Sequence, residues 1–282
     1  ANPSATVWLG RPTWPNHDAI FPAAGLTLAE YRYFDPATQS VCFEALIAAM
    51  RSAPTGDVFV LHASSHNPTG ADLTLAQWQT IADVTVERGL LPFIDFAYQG
   101  LGHGLDEDAA GARLVFSQVP EALLSLSCSK NFGLYRERTG ALVVLAPNTE
   151  KAHAVRTNLI AIARANYSMP PDHGAAIVRT ILHDADLRTE WEGELADMRQ
   201  KLRGIRQTLA QCRINSLDLS ALAHQNGLFA TLPLSKPQIA RLKDQHGIYM
   251  APSGRINIAG LMAGDVDSFA AALRSTLIDT AA

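Results

Sequence analysis

The sequence predicts an α/β fold, a mainly parallel sheet flanked by helices, with a smaller C-terminal α+β domain. Three observations carry this prediction. Strand-like apolar runs alternate with helical patterns from residue 6 to about residue 145, which is the signature of βαβ units. A long amphipathic stripe follows, and beyond it short strand-like runs alternate with helices. At 282 residues and 48% hydrophobic, the chain can bury a large core in one or two domains.

The elements follow in order. Thr6-Val7-Trp8-Leu9 is β-branched and aromatic, and it reads as a strand reached with almost no lead-in from Ala1-Asn2-Pro3. Asp57-Val58-Phe59-Val60-Leu61 predicts a second strand, ending at the polar stretch His62 to Gly70. Thr74-Leu75-Ala76-Gln77 fits a capping box, and Gly89 stands where a left-handed glycine would end that helix. Leu90-Leu91-Pro92-Phe93-Ile94 predicts a strand ending at Asp95, and Ala122-Leu123-Leu124-Ser125-Leu126-Ser127 predicts another ending just before Lys130. Leu187, Trp191, Leu195, Met198, Leu202, Ile205 and Leu209 recur at three and four, one face of a long helix. Glu190, Glu194, Asp197, Lys201 and Arg206 fall off that stripe. The helix is expected to lead from a large domain, residues 1–197, into a small one, residues 198–282. There Gly227 to Leu232 and Gly247 to Met250 predict short strands.

Charge narrows the function classes. The formal net charge is −4 and no block of Lys or Arg occurs, which argues against nucleic-acid and membrane-surface roles. A small-molecule function is the expectation. Cys42, Cys128 and Cys212 are odd in number and far apart, as expected of reduced thiols in a cytoplasmic protein. No signal peptide and no run of about 18 apolar residues is present.

Three predicted strand ends carry an asparagine (Asn67), a carboxylate (Asp95) and a lysine (Lys130), and open α/β sheets bind ligands at that edge. A lysine there can form a Schiff base with a carbonyl cofactor, and Arg138, eight residues on, can clamp an anion. Two competing readings fail on pattern. Ser127-Cys128-Ser129-Lys130 satisfies the Ser-x-x-Lys motif of acyl hydrolases, but the Lys-Thr-Gly and Ser-Asp-Asn partners of that motif are missing. His62 and His66 are four apart, a metal-binding spacing only on a helix, and Pro68 indicates a turn; no metal is expected.

The chain resembles the class I aminotransferases dependent on pyridoxal phosphate (PLP), in the aspartate and aromatic amino acid branch. The resembling pieces are Pro12 to His17, His66-Asn67-Pro68-Thr69-Gly70, Asp95 to Gly100, Ser127 to Gly140, Arg164 to Ser168 and Ser253 to Gly260, in family order. The resemblance implies the fold type I large domain and a homodimer with shared active sites, acting on amino acid and 2-oxo acid substrates. It also implies roles. Lys130 would form the imine and serve as general base, Asp95 would keep the pyridine nitrogen protonated, and His17 would support Asp95. Asn67 and Tyr98 would donate to the cofactor phenolate oxygen, while Trp14 and Ala97 would flank the ring. Ser127, Ser129 and Arg138 would hold the phosphate. On the substrate side, Arg255 would grip the α-carboxylate, Arg164 of the neighbouring subunit would reach a side-chain carboxylate, and Trp14, Asn67 and Phe229 would lie close by.

Two departures bear on specificity. Met169 stands where aspartate-specific relatives commonly have asparagine, which favours aromatic substrates with 2-oxoglutarate over a strict aspartate enzyme. Cys128 occupies a position that is usually aromatic, and is expected to be a buried small residue. The resemblance also implies that the first quarter to third of a family member precedes residue 1, including a glycine-rich turn that helps cradle the phosphate. Weak PLP binding by the chain as given is expected on that ground, and a folded, PLP-poor remnant is the non-enzymatic alternative.

Overall fold

The computed structural model describes residue 2, residues 4–214 and residues 217–278. Its centre is a six-stranded sheet. β1 (Thr6–Arg11) is followed by α1 (His17–Ala23) and β2 (Thr27–Arg32); the short β3 (Phe34–Asp35) and β4 (Ser40–Val41) form a separate hairpin. Then come α2 (Phe43–Ser52), β5 (Val58–His62), α3 (Leu75–Arg88), β6 (Leu91–Phe96), α4 (Leu105–Gln118), β7 (Ala122–Ser127) and β8 (Gly140–Leu145). The strand order is β2-β1-β5-β6-β7-β8, parallel throughout except for β7 with β8. The mainly parallel α/β architecture expected from the alternating pattern is present, with one antiparallel edge.

Apolar strand residues face helices on both sides, as parallel sheets require. One core places Phe59, Leu61, Ile94 and Phe96 against Leu46 and Met50 of α2, Trp78 and Ile81 of α3 and Val115 of α4. A smaller cluster, Val7, Leu9, Phe21 and Val60, lies under α1 on the opposite face. Helix α3 begins as its sequence predicts: Thr74 accepts from the Gln77 N–H, the Gln77 side chain accepts from the Thr74 N–H, and Gly89 closes the helix at φ 62°. Thr74→Ala is expected to lower stability by about 1 kcal/mol without altering the sheet, and a chemical-denaturation midpoint shift checks this.

α5 (Thr149–Tyr167), α6 (His173–His183) and α7 (Ala185–Gln211) complete the helical run. α5 has no buried residue, and Leu159, Ile160 and Ile162 are exposed, as are Leu142 and Val143 on β8. α7 carries the expected stripe into a second core, where Leu195, Leu202, Ile205 and Leu209 meet β9 (Phe229–Thr231), α8 (Lys236–His246), β10 (Arg255–Asn257) and α9 (Val266–Ile278). Tyr98 and Leu101, from the loop after β6, join this core.

Two expectations are corrected. Gly247 to Met250 is irregular, and the strand that pairs with β9 is β10, in register Arg255 with Thr231. Arg206, off the apolar stripe, is only 2% exposed. Its guanidinium donates to the carbonyl oxygens of Asn226 (2.8 Å), Gly227 (3.0 Å) and Phe229 (2.6 Å), which compensates for burying the charge. Burial pushes its pKa down to about 10, and Asp72 opposes that shift.

Candidate active site

The carboxyl ends of β5, β6 and β7 converge, and buried carboxylates shape the loops that leave them. After β5, Asp72 accepts the N–H groups of Ser65 (2.8 Å) and His66 (2.9 Å) and the Asn226 amide (3.1 Å), folding the His66 to Gly70 turn back on itself. Gly70 sits at φ 73°, and a side chain there would meet the Asn226 and Phe229 carbonyls at 2.8 Å. After β6, Asp108 of α4 accepts N–H bonds from Gly100, Gly102 and His103 at 2.8–2.9 Å, which fixes the loop that carries Tyr98. After β7, the Asn131 carbonyl accepts from the Trp191 indole at 2.7 Å, and Phe132 stacks on the same ring. This ties the Lys130 loop to α7.

These loops enclose a cavity of about 400 Å³. Trp14, Asn67, Asp95, Ala97, Tyr98, Ser127, Ser129, Lys130 and Arg138 all line it. His17 does not, but its Nε2 lies 3.3 Å from Asp95 Oδ2. Asp95 itself is the fifth residue of β6 and not a loop residue. The cavity also has walls that sequence reasoning missed: His62, Tyr135 and Thr139. In the sequence His62 is the start of the polar stretch after the second predicted strand and a discarded metal ligand, and the other two lie in the Lys130 to Gly140 stretch without a pattern to mark them.

Beneath Asp95 lies a directed hydrogen-bond chain. The Asn67 N–H can only donate, so His62 Nδ1 accepts it (3.3 Å), and with a neutral ring His62 Nε2–H then donates to Thr13 Oγ1 (3.3 Å). The Thr13 hydroxyl is left to donate to His17 Nδ1 (2.8 Å), and His17 Nε2–H to Asp95. His62 is neutral because burial pushes its pKa down to about 4. Ligand atoms of His17, His62 and Asp95 lie within 4.8 Å of one another, a separation open to a metal ion. The hydrogen bonds already engage all four imidazole nitrogens, so this trio is an orienting network for the carboxylate.

The electrostatics separate the titrating groups. Burial alone would raise the Asp95 pKa, but the His17 hydrogen bond, followed by electrostatic contributions from His62, His17 and, last, Lys130, outweighs it and holds the carboxyl below its usual range. Burial and the Arg138 charge push the Lys130 amine down, against the pull of Asp95. Burial pushes the Tyr98 phenol up to about 12, so it stays a neutral donor; its oxygen accepts from the Asn67 amide at 3.3 Å. Lys130 Nζ lies 4.8 Å from the Tyr98 ring centre. Arg138 stands at φ 53°, a left-handed position that costs a non-glycine residue about 1–3 kcal/mol. Its Nη1 donates to the Tyr135 carbonyl at 2.7 Å. Cys128 is half-buried, with its thiol pKa raised by burial, and is not among the cavity-lining residues.

Arg255 and Phe229 lie outside this cavity. They line a neighbouring open one of about 800 Å³ between the small sheet, α8 and α9, with the Arg255 guanidinium 4.9 Å from the Phe229 ring centre. Phe229 in turn meets Tyr98 edge to face at 6.5 Å, so the two cavities share a wall. Arg164 is on the exposed α5 and lines neither cavity.

Comparison with known proteins agrees with this geometry. The family model for aminotransferase class I and II matches residues 1–273. A tyrosine aminotransferase of Rhizobium meliloti is 54% identical over 265 residues, covering 94% of this chain and 68% of the relative. An aspartate aminotransferase of Salmonella typhi is 46% identical over 263 residues, covering 92% and 66%. The chain thus spans about two thirds of the length of these relatives. The crystal structure of an aromatic-amino-acid aminotransferase from Burkholderia pseudomallei, covalently bound to pyridoxal phosphate, superposes with a TM-score of 0.95 at 39% identity. It is covered over 70% of its length by 98% of this chain. The fold is that of the pyridoxal-phosphate-dependent aminotransferases. The chain belongs to the aminotransferase class I and II family.

Proposed function

We propose that the chain transfers the amino group of tyrosine or phenylalanine to 2-oxoglutarate, with PLP attached to Lys130. The observation that carries this reading is a lysine of lowered pKa between a carboxylate held ionised and a guanidinium, in one cavity at the carboxyl edge of the sheet. That donor set suits the cofactor. Asp95 matches a protonated pyridine nitrogen, Asn67 and Tyr98 match a phenolate oxygen, and Ser127, Ser129 and Arg138 match a phosphate. When bound, PLP supplies an aldehyde carbon for imine exchange and a ring that takes up the electron pair released at the substrate Cα.

The residues do the rest. Lys130 would accept and return the Cα proton. The hydrogen-bond chain from Asn67 to His17 keeps Asp95 oriented and charged. Ala97 and Trp14 would flank the ring, and in the adjoining cavity Arg255, beside Phe229, would take the α-carboxylate of the substrate with its planar fork. We place the boundary between the PLP-binding domain and the smaller domain at residue 197, within α7; the second core draws on α7 from Leu195 onward. A homodimer is supported by the uncovered apolar residues of β8 and α5, and in it Arg164 would serve the partner's site. Among the described residues no helix is long and apolar enough to cross a membrane, and three free cysteines fit a cytoplasmic setting.

A screen of single amino acids against PLP-loaded protein, read by the cofactor absorbance, tests the assignment: tyrosine and phenylalanine should convert the spectrum faster than aspartate. Arg255→Lys should lower kcat/KM for every amino acid by about ten- to a hundredfold, because lysine loses the bidentate grip. Arg164→Ala should penalise aspartate and glutamate far more than phenylalanine. Equal losses for aspartate and phenylalanine would contradict this division of labour.

A further inference from the structure

The loop between β7 and β8 presents Arg138 to the cavity, and a helix that does not reach the cavity holds that loop from behind. His173 Nδ1 lies 2.8 Å from Glu137 Oε2; an ionised carboxylate has no proton to give, so the imidazole donates. One residue on, Gly174 is buried against the same loop: a Cβ there would come within 2.7 Å of Glu137 Cβ and would overlap Thr139 Oγ1. The two contacts bracket Arg138, the residue in the left-handed conformation. On the other side, the Thr139 carbonyl accepts the Cys128 N–H at 3.0 Å, two residues before Lys130. The loop is therefore held between the lysine strand and the start of α6.

We infer that His173 and Gly174 are positioning residues for Arg138 and set the grip on the phosphate end of the cofactor. The inference rests on the function proposed above. His173 is largely exposed, and an exposed ion pair alone shifts an equilibrium by less than about fivefold. The close approach at Gly174 adds a steric constraint that solvent does not screen. Neither residue lines the cavity, so both act through Glu137 and Thr139, the residues on either side of Arg138.

PLP and pyridoxal, which lacks the phosphate, separate this role from a general structural one. Both would be titrated into the chain by visible absorbance, with circular dichroism confirming the fold of each variant. His173→Ala should weaken PLP by about three- to fivefold, and Gly174→Ala by about tenfold or more, with pyridoxal affinity unchanged in both. His173→Gln, whose amide can still donate to Glu137, should recover most of the loss. Equal weakening of PLP and pyridoxal, or unchanged PLP affinity in both His173→Ala and Gly174→Ala, overturns the inference. A parent chain with no preference for PLP over pyridoxal would refute the cofactor reading itself, and the inference with it.

Discussion

Lys130→Ala is expected to abolish the covalent attachment of PLP and to slow amino transfer by about two to four orders of magnitude, the range for loss of a general base. The expectation rests on position. Among the described residues Lys130 is the only lysine lining the cavity with Asp95 and Arg138, and burial together with the Arg138 charge lowers the pKa of its amine. Borohydride reduction of PLP-loaded protein followed by peptide mass spectrometry provides the check. A pyridoxyl group should appear on Lys130 of the parent and nowhere in the variant, while a modified lysine elsewhere in the parent would rule this assignment out.

The second large effect is expected at Asp95. Asp95→Asn keeps a side chain that can accept from His17 but removes the charge that the network of Thr13, His17 and His62 orients. The variant should still bind PLP, yet rapid-mixing measurements should show the amino acid half-reaction slowed by at least about a hundredfold, near 2.7 kcal/mol. Asp95→Glu should retain more activity because the charge survives at a shifted position. Asparagine turning over at the parental rate would show that the carboxylate charge is not what the ring requires.

Much of the fold was legible because strands buried on both faces read as continuous apolar runs and because Thr74 and Gly89 carry explicit helix signals. The strand ends therefore located Asn67, Asp95 and Lys130 correctly at one edge of the sheet. What stayed hidden depends on partners distant in sequence. Asp108 follows Asp106 and Glu107 in the first turn of α4 and reads as one more solvated acid, yet it is buried and organises the Tyr98 loop. Arg206 reads as a surface charge until the carbonyls of residues 226–229 close around it. β10 is three residues long and opens with an arginine, so no local alternation marks it; pairing with β9 creates it. The Glu137 to His173 contact spans a strand and a helix, a separation that no spacing rule covers.

The buried guanidinium of Arg206 has a mechanical consequence. It ties the carbonyls of Asn226, Gly227 and Phe229 to α7, and Asn226 in turn donates to the Gly70 carbonyl (2.8 Å) and to Asp72 (3.1 Å) beside the turn bearing Asn67. Sliding the C-terminal layer across the sheet would break the bonds of Asn226 to Gly70 and Asp72 and of Thr231 to the Pro68 carbonyl, while the Arg206 bonds, internal to that layer, would move with it. α7 and the strand bearing Phe229 therefore form one piece, and Arg255, paired with that strand through β10, belongs to it.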